Sequence, residues 1–194
     1  LEEGIEVLRE LWANDPASYE GRFFRFNGIA VRPPPVQSPP PIWIANNPWV
    51  FASPESGAHQ PQVDRVARLG DGWMTVGATA EQFANTWNAI THSARELGRD
   101  PGEMESTIYF NLNIDDDEQA AYDESKRCLD EYYSSDWPQW KVNVWTACGG
   151  ADRCIQRIKA FADAGAHTMV IRFTSYDQPT QLKRFLDKVA PAIM

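Results

Sequence analysis

Histidine and cysteine are scarce in this chain of 194 residues, with three of each. His59, His92 and His167 stand far apart and no CxxC pair occurs, so no set of ligands with metal-binding spacing can be assembled. Cys128, Cys148 and Cys154 are odd in number and lack framework spacing, which predicts free thiols in a reducing compartment and a cytoplasmic protein. Positive charge is also in deficit: 18 Lys and Arg face 27 Asp and Glu, a formal net charge of −9. With no basic cluster, that balance argues against nucleic acid or an anionic membrane surface as the main partner. No apolar run reaches 18 residues, so no segment reads as membrane-spanning, and no signal-peptide pattern is visible. Ser-His-Asp, P-loop and paired-carboxylate signatures are missing too, which leaves hydrolase and kinase readings without support.

What is present is enough apolar material, 43% of the residues, for one sizeable core. Leu1, Ile5, Leu8 and Trp12 recur at helical spacing and predict an amphipathic helix over 1–13, stopped by Asn14-Asp15-Pro16. The chain thus opens inside a helical pattern, with Leu1 rather than Met, and is expected to be part of a longer polypeptide. Residues 18–32 carry aromatic and β-branched residues around Gly21 and Asn27-Gly28, which predicts two short strands or an excursion over one face. A proline cluster over 33–41 leads into PIWIAN, a short buried strand at 41–46; residues 47–60 read as a loop and 61–69 as a helix.

GWMTVG at 72–77 is the second strand of this kind. Thr79-Ala80-Glu81-Gln82 has the form of a capping box, and the stripe Phe83, Trp87, Ile90, Ala94, Leu97 continues to Gly98. STIYFNLNI at 106–114 is the third strand. Asp115-Asp116-Asp117 suits a helix N-terminus, and Ala121, Ser125, Cys128 and Tyr132 mark the buried side of that helix. A Trp-rich connection spans 137–147. Gly149-Gly150 then precedes a helix striped by Ile155, Ile158, Phe161 and Ala162, TMVIRF at 168–173 is the fourth strand, and Leu182, Phe185, Leu186 and Val189 stripe a last helix. Strand–helix alternation at this pace implies a parallel sheet.

The third strand is two-faced. Ile108, Phe110, Leu112 and Ile114 alternate with Thr107, Tyr109, Asn111 and Asn113. An open sheet covered by helices on both sides needs two apolar faces; a (β/α) barrel tolerates polar residues on its inner face near the C-terminal mouth. The parity favours the barrel, with helices on the outer face only. PIWIAN likewise ends on two amides, Asn46 and Asn47, which either serve a ligand or cap the following turn. Thr75 ends the second strand as a ring contact or a structural residue. Arg172 interrupts an apolar strand and requires a carboxylate, solvent or an anionic ligand. Gly149-Gly150 reads as an anion site or a turn, and Trp137, Trp140 and Trp145 as a pocket roof or loop packing.

The segments EGIEVLRELW, SYEGRFFRF, PPPVQSPPPIWIAN, RVARLGDGWMTVGATAEQF, YFNLNIDDDEQAAYDESKR and CIQRIKAFADAGAHTMVIRF resemble the luciferase-like monooxygenase family of flavin-dependent oxidoreductases. The resemblance runs across essentially the whole chain, with ARLGDGW and the IWIAN-type segment its most specific parts. It implies a TIM (β/α)8 barrel of which 1–194 is a single C-terminal half-barrel, from the helix after the fourth strand through strands five to eight. It implies reduced FMN, or alternatively a deazaflavin coenzyme, in the barrel mouth, with phosphate near the loop after PIWIAN. Ala45-Asn46-Asn47 departs from the Gly-rich reading of many relatives at that point. The cofactor would activate O2 or transfer hydride to oxidise a small organic substrate, while the protein supplies orientation and a dry pocket.

The cofactor-binding set expected at the mouth is Asn46, Asn47, Thr75, Asn111, Asn113 and Arg172, with no residue assigned as catalytic acid or base. Two other readings stay open: a non-catalytic flavin-binding half-barrel, and a phosphate-binding barrel enzyme of other chemistry. Half a barrel has two free edges, so one face set of PIWIAN and of TMVIRF should meet water. The chain should then be completed by the missing N-terminal half or form a homo-oligomer.

Overall fold

The computed structural model describes residues 1–51 and 59–193. Helix α1 (Glu2–Ala13) is followed by an antiparallel hairpin, β1 (Ala17–Glu20) and β2 (Arg25–Ile29). The main sheet comprises β3 (Trp43–Ala45), β4 (Gly72–Val76), β5 (Glu105–Ile114), β6 (Thr146–Gly149) and β7 (Thr168–Phe173). All its pairings are parallel: β3 with β4, β4 with β5, and β5 with both β6 and β7. The four expected strands therefore lie side by side in chain order. The length of β5 lets β4 pair with its first half and β6 with its last four residues.

One face of this sheet is closed by α3 (Gln60–Leu69), α4 (Ala80–Glu96) and α7 (Ala151–Asp163). Ile44, Trp73, Ile108, Phe110 and Leu112 meet Val63, Val66, Phe83, Ile90, Ile158 and Phe161 there. Trp73 is wholly buried, stacked on Trp87 at 6.4 Å between ring centroids and tilted against Phe83 at 4.9 Å. The capping box starts α4 as its sequence predicts: the Thr79 hydroxyl accepts from Gln82 N–H at 3.1 Å, and Gln82 Oε1 accepts from Thr79 N–H at 2.9 Å. At the N-terminal edge of the sheet Asp71, in the ARLGDGW segment, accepts from Ile42 N–H at 2.8 Å and faces Arg9 and Arg99. That aspartate ties α1, β3 and β4 together at the end remote from the mouth.

The other face departs from expectation. Helices on the outer face alone were expected, yet α5 (Glu118–Tyr133) and α6 (Gln139–Trp145) fold over the second face at its C-terminal end. Cys148 and Asn113, neighbours across β5 and β6, meet Ser125 and Glu124 of α5. The cause lies in the stretch 137–147, read from sequence as a connection. It forms α6 and leads into β6, because Val142 and Trp137 bury against Leu129 and pull the segment back onto the sheet. The rest of this face is open along its flanking strands: Trp43 is 39% and Val170 38% exposed, as expected of strands with a free edge, and Met74 and Val76 are half-buried, whereas Thr107 and Asn111 on the central strand are buried. Among the described residues β3 and β7 each pair on one side only.

Smaller corrections have local causes. The strand at PIWIAN is assigned to 43–45, since Pro41 has no N–H and Ile42 N–H is taken by Asp71. Its ladder still reaches Asn46, whose N–H donates to Met74 C=O at 3.1 Å. Residues Pro48–Phe51 form one helical turn, α2, in what reads as a loop, and 52–58 lie outside the described residues. On α5 the buried side is Ala121, Ser125 and Leu129, at i, i+4, i+8, with Tyr132 65% exposed. In the last helix α8 (Gln178–Arg184) passes into a π turn over Phe185–Val189. The wider turn breaks the 3.6-residue stripe, so Val189 is buried while Leu182 and Leu186 face solvent.

Candidate functional site

The six residues expected at the mouth all lie at the C-terminal ends of their strands, but they divide between the two faces. Register decides this. Thr75 pairs with Ile108, so its side chain shares the helix-covered face and is buried there. Its hydroxyl donates to Asn47 Oδ1 at 2.8 Å, and Val76 N–H donates to the same oxygen at 3.2 Å. Asn46 is engaged at both ends of its amide: Nδ2 donates to Gln62 C=O at 3.2 Å, and Oδ1 accepts from the Trp73 indole at 2.9 Å. The convergence of all six is thus corrected to two groups of three. The amides that end PIWIAN bind β4 and α3 into place, which is neither the ligand contact nor the capping of the following turn weighed from the sequence.

Asn111, Asn113 and Arg172 occupy the second face. Asn113 is a hub: Nδ2 donates to Glu124 Oε2 and to Thr174 C=O, both at 2.8 Å, and Oδ1 accepts from Gln181 Nε2 at 3.1 Å. Gln181 also bonds the backbone of Ile114. Burial alone would raise the Glu124 carboxyl, but donors from Asn113, Tyr176 N–H and Ser175 outweigh it and hold the group below the usual carboxylate range. Every polar atom of the Asn113 amide is spent on joining β5, α5, α8 and the segment after β7.

Asn111 differs. It is 1% exposed and its Nδ2 reaches Thr146 Oγ1 only at 3.5 Å, while its Oδ1 has no partner among the described residues. Four residues earlier on the same face, the Thr107 hydroxyl is also buried and unpaired. A buried acceptor without a donor costs about 1–3 kcal/mol, and two on one strand face mark a surface that lacks its complement. Beside this polar row stand Met74 and Val76 on β4, paired with Thr107 and Tyr109, and Thr168, Val170 and Arg172 on β7. An apolar strip and a polar strip run parallel along one sheet face.

Residues not singled out from sequence complete the surface. Tyr109 lies in the middle of the polar row, and Tyr132 and Tyr133 close the end of α5 over it. The Tyr133 phenol is pushed up by burial and by the neighbouring Tyr109. The Arg172 guanidinium lies 4.0 Å from the Tyr132 ring centroid. Trp145 rests on Gly77, where a Cβ would fall 2.1 Å from its indole nitrogen; Gly77 also has φ +63°. Tyr109 was legible in the two-faced pattern of β5, whereas the tyrosines of α5 carried no signal, because nothing in their spacing says that the helix turns back over the sheet. Trp137 and Trp145 pack against each other and Tyr133, the loop-packing alternative, while Trp140 is exposed. Gly149-Gly150 starts α7 without a side-chain cap, Gly149 at φ +127°.

The three cysteines are free thiols. Burial pushes Cys148 up and Cys154 up to about 12, so neither is a nucleophile near neutral pH. No described helix is long and apolar enough to cross a membrane.

Comparison with known proteins matches this geometry to one family. The family model described as luciferase-like monooxygenase matches residues 1–168. Curated relatives include the F420-dependent glucose-6-phosphate dehydrogenases of Rhodococcus erythropolis, 24% identical over 214 aligned residues, and Segniliparus rotundus, 25% identical over 213. Each alignment covers 100% of this chain and 60% of the relative. Among solved structures, an F420-dependent secondary alcohol dehydrogenase in complex with an F420-acetone adduct superposes with a TM-score of 0.78 at 22% identity, over 100% of this chain and 61% of that one. A monooxygenase from Streptomyces bottropensis gives a TM-score of 0.77 at 21% identity, over 100% and 60%. The chain therefore spans about 60% of the length of the proteins it matches.

Proposed function

The chain belongs to the luciferase-like monooxygenase family, and from that premise we propose that it is the cofactor-holding part of a flavin-type oxidoreductase. The observation that carries the reading is the partly open sheet face, where half-buried Met74 and Val76 lie beside a polar row whose Asn111 Oδ1 and Thr107 Oγ1 have no partners among the described residues. A flat heteroaromatic ring fits such a surface: apolar contact on one side, and on the other a ring N–H to answer Asn111. When bound, that ring supplies hydride transfer or O2 activation to a small organic substrate; the chain's own residues bind it, orient it and keep water from it. Of the six residues expected at the mouth, Asn111 faces the ring, and Arg172 stands beside it on β7. Asn46, Asn47, Thr75 and Asn113 position the strand ends that carry them.

A deazaflavin ranks ahead of FMN, since three of the four proteins named above are F420-dependent. The four strands in chain order, with free edges at β3 and β7, support the reading of this chain as the second half of an eight-stranded barrel. The covering wall is a further segment of polypeptide or a second copy of the chain.

Fluorescence titration with F420 and with FMN tests the proposal. The expected result is saturable quenching, tighter for F420, and roughly tenfold weaker binding in Asn111→Leu, the equivalent of one hydrogen bond. No change with either coenzyme overturns it.

A further inference from the structure

Resting on the reading that this sheet face holds a small molecule, the geometry points to a second recognition element beside it: a pocket for a singly charged organic acid, gripped by Arg172. The sequence demanded that Arg172 meet a carboxylate, solvent or an anionic ligand. Among the described residues no carboxylate lies within ion-pair distance of it, although twelve other ion pairs are formed. Instead, the half-buried guanidinium is shelved on the Tyr132 ring at 4.0 Å. Stacking fixes the plane of the guanidinium, one of its N–H groups faces the Tyr133 phenol, and the remaining edge suits a planar acid, the geometry in which arginine binds carboxylate bidentately.

A cavity of about 360 Å³ adjoins Arg172, bounded also by Cys128, Glu131, Tyr132, Ser175, Tyr176 and Gln178, with the Cys128 thiol engaged by Tyr176. It is near the lower end of small-molecule sites. Its other polar walls are already committed: the Tyr176 hydroxyl donates to Glu131 Oε2 at 2.7 Å, Ser175 donates to Glu124 at 2.9 Å, and Gln178 Nε2 donates to Phe173 and Ser175 carbonyls. Arg172 is thus the donor left for an anion. Glu131, an acceptor in the same cavity, disfavours a second negative charge and favours a hydroxyl. Those walls together select a small hydroxy acid carrying one carboxylate. Arg172 itself pairs in register with Asn111, so the anchoring guanidinium stands between the cavity and the polar row of β5, and a carboxylate held by it would fix substrate orientation.

NMR titration of the protein with lactate, methyl lactate and malate tests this. Lactate is expected to bind at least tenfold more tightly than methyl lactate, which lacks the charge, and more tightly than malate, which has two. Arg172→Met should abolish the preference for lactate over its ester, Arg172→Lys should retain part of it, and Glu131→Gln should narrow the gap between lactate and malate. Equal binding of lactate and methyl lactate, or lactate binding unchanged in a folded Arg172→Met, overturns the proposal. Riboflavin and FMN, which differ by one phosphate, identify the other source of an anion. If FMN binds more tightly than riboflavin and Arg172→Met erases that margin while lactate binding is indifferent, Arg172 serves the cofactor and the acid pocket is wrong. Failure of the cofactor reading shows separately, as no binding of any flavin or deazaflavin to wild type, and leaves the lactate result standing on its own.

Discussion

Apart from half-buried Tyr109, the two faces of β5 are equally buried and opposite in chemistry. On the helix side Ile108, Phe110, Leu112 and Ile114 are at most 2% exposed; on the other, Thr107, Asn111 and Asn113 are at most 1% exposed. The apolar face is complete, since close packing is the only thing its side chains require. Polar side chains need partners as well as burial, and the polar face supplies them unevenly: Asn113 has every bond it can use, while Asn111 and Thr107 have oxygens left over. Burial alone therefore separates nothing on this strand. Unmet hydrogen-bonding capacity does.

The contrast can be tested from its strongest consequence downward. Phe110→Ala on the apolar face should cost about 3–5 kcal/mol in urea denaturation, the range for truncating a buried aromatic; a loss under 1 kcal/mol would mean that this face repacks freely. Asn113→Leu removes an amide but strands Glu124, Gln181 and the Thr174 carbonyl, so a loss of about 2–4 kcal/mol is expected. If it is tolerated, the hub is ornamental and the asymmetry between the two asparagines disappears. Asn111→Leu, with the orphan oxygen deleted, should stay within about 1 kcal/mol of wild type by the same denaturation while weakening coenzyme binding.

The smallest effect is a pH dependence. The Glu124 carboxyl is held low in the folded protein by its three donors. It therefore contributes stability that is fully present above its unfolded value near 4.5 and is lost as pH falls through the lowered folded value. Melting temperature measured from neutral to acid pH should fall less steeply in Glu124→Gln than in wild type. Parallel curves would remove Glu124 from the latch between α5 and the segment after β7.

Much of the fold was legible because it depends on local chemistry. The Thr79 capping box, the stripe of α4 and the alternation of β5 are each set by residues within a few positions of one another, and they appear as read except for Leu97, which caps α4 and is exposed. The candidate site was legible only in part. Asn111, Asn113 and Arg172 do share one face at the C-terminal end. Thr75 does not, because its orientation depends on the register between β4 and β5, and a shift of one residue reverses every side chain. The π turn at Phe185–Val189 and the return of α5 and α6 over the sheet were hidden for a similar reason: each follows from contacts made across long stretches of chain.

By itself, then, the amino-acid order determined the parallel α/β architecture, the two-faced third strand and the family, since periodicity, caps and motif segments are properties of neighbouring residues. Only the tertiary structure decided which polar groups are spent and which are left over. Asn46 and Asn47 look like a ligand's contacts until Gln62, Trp73, Thr75 and Val76 come within bonding distance. Arg172 looks like half of a salt bridge until the fold gives it Tyr132 and a cavity in place of a carboxylate. Whether a hydrogen bond or ion pair is satisfied depends on where distant parts of the chain meet, and no local pattern encodes that.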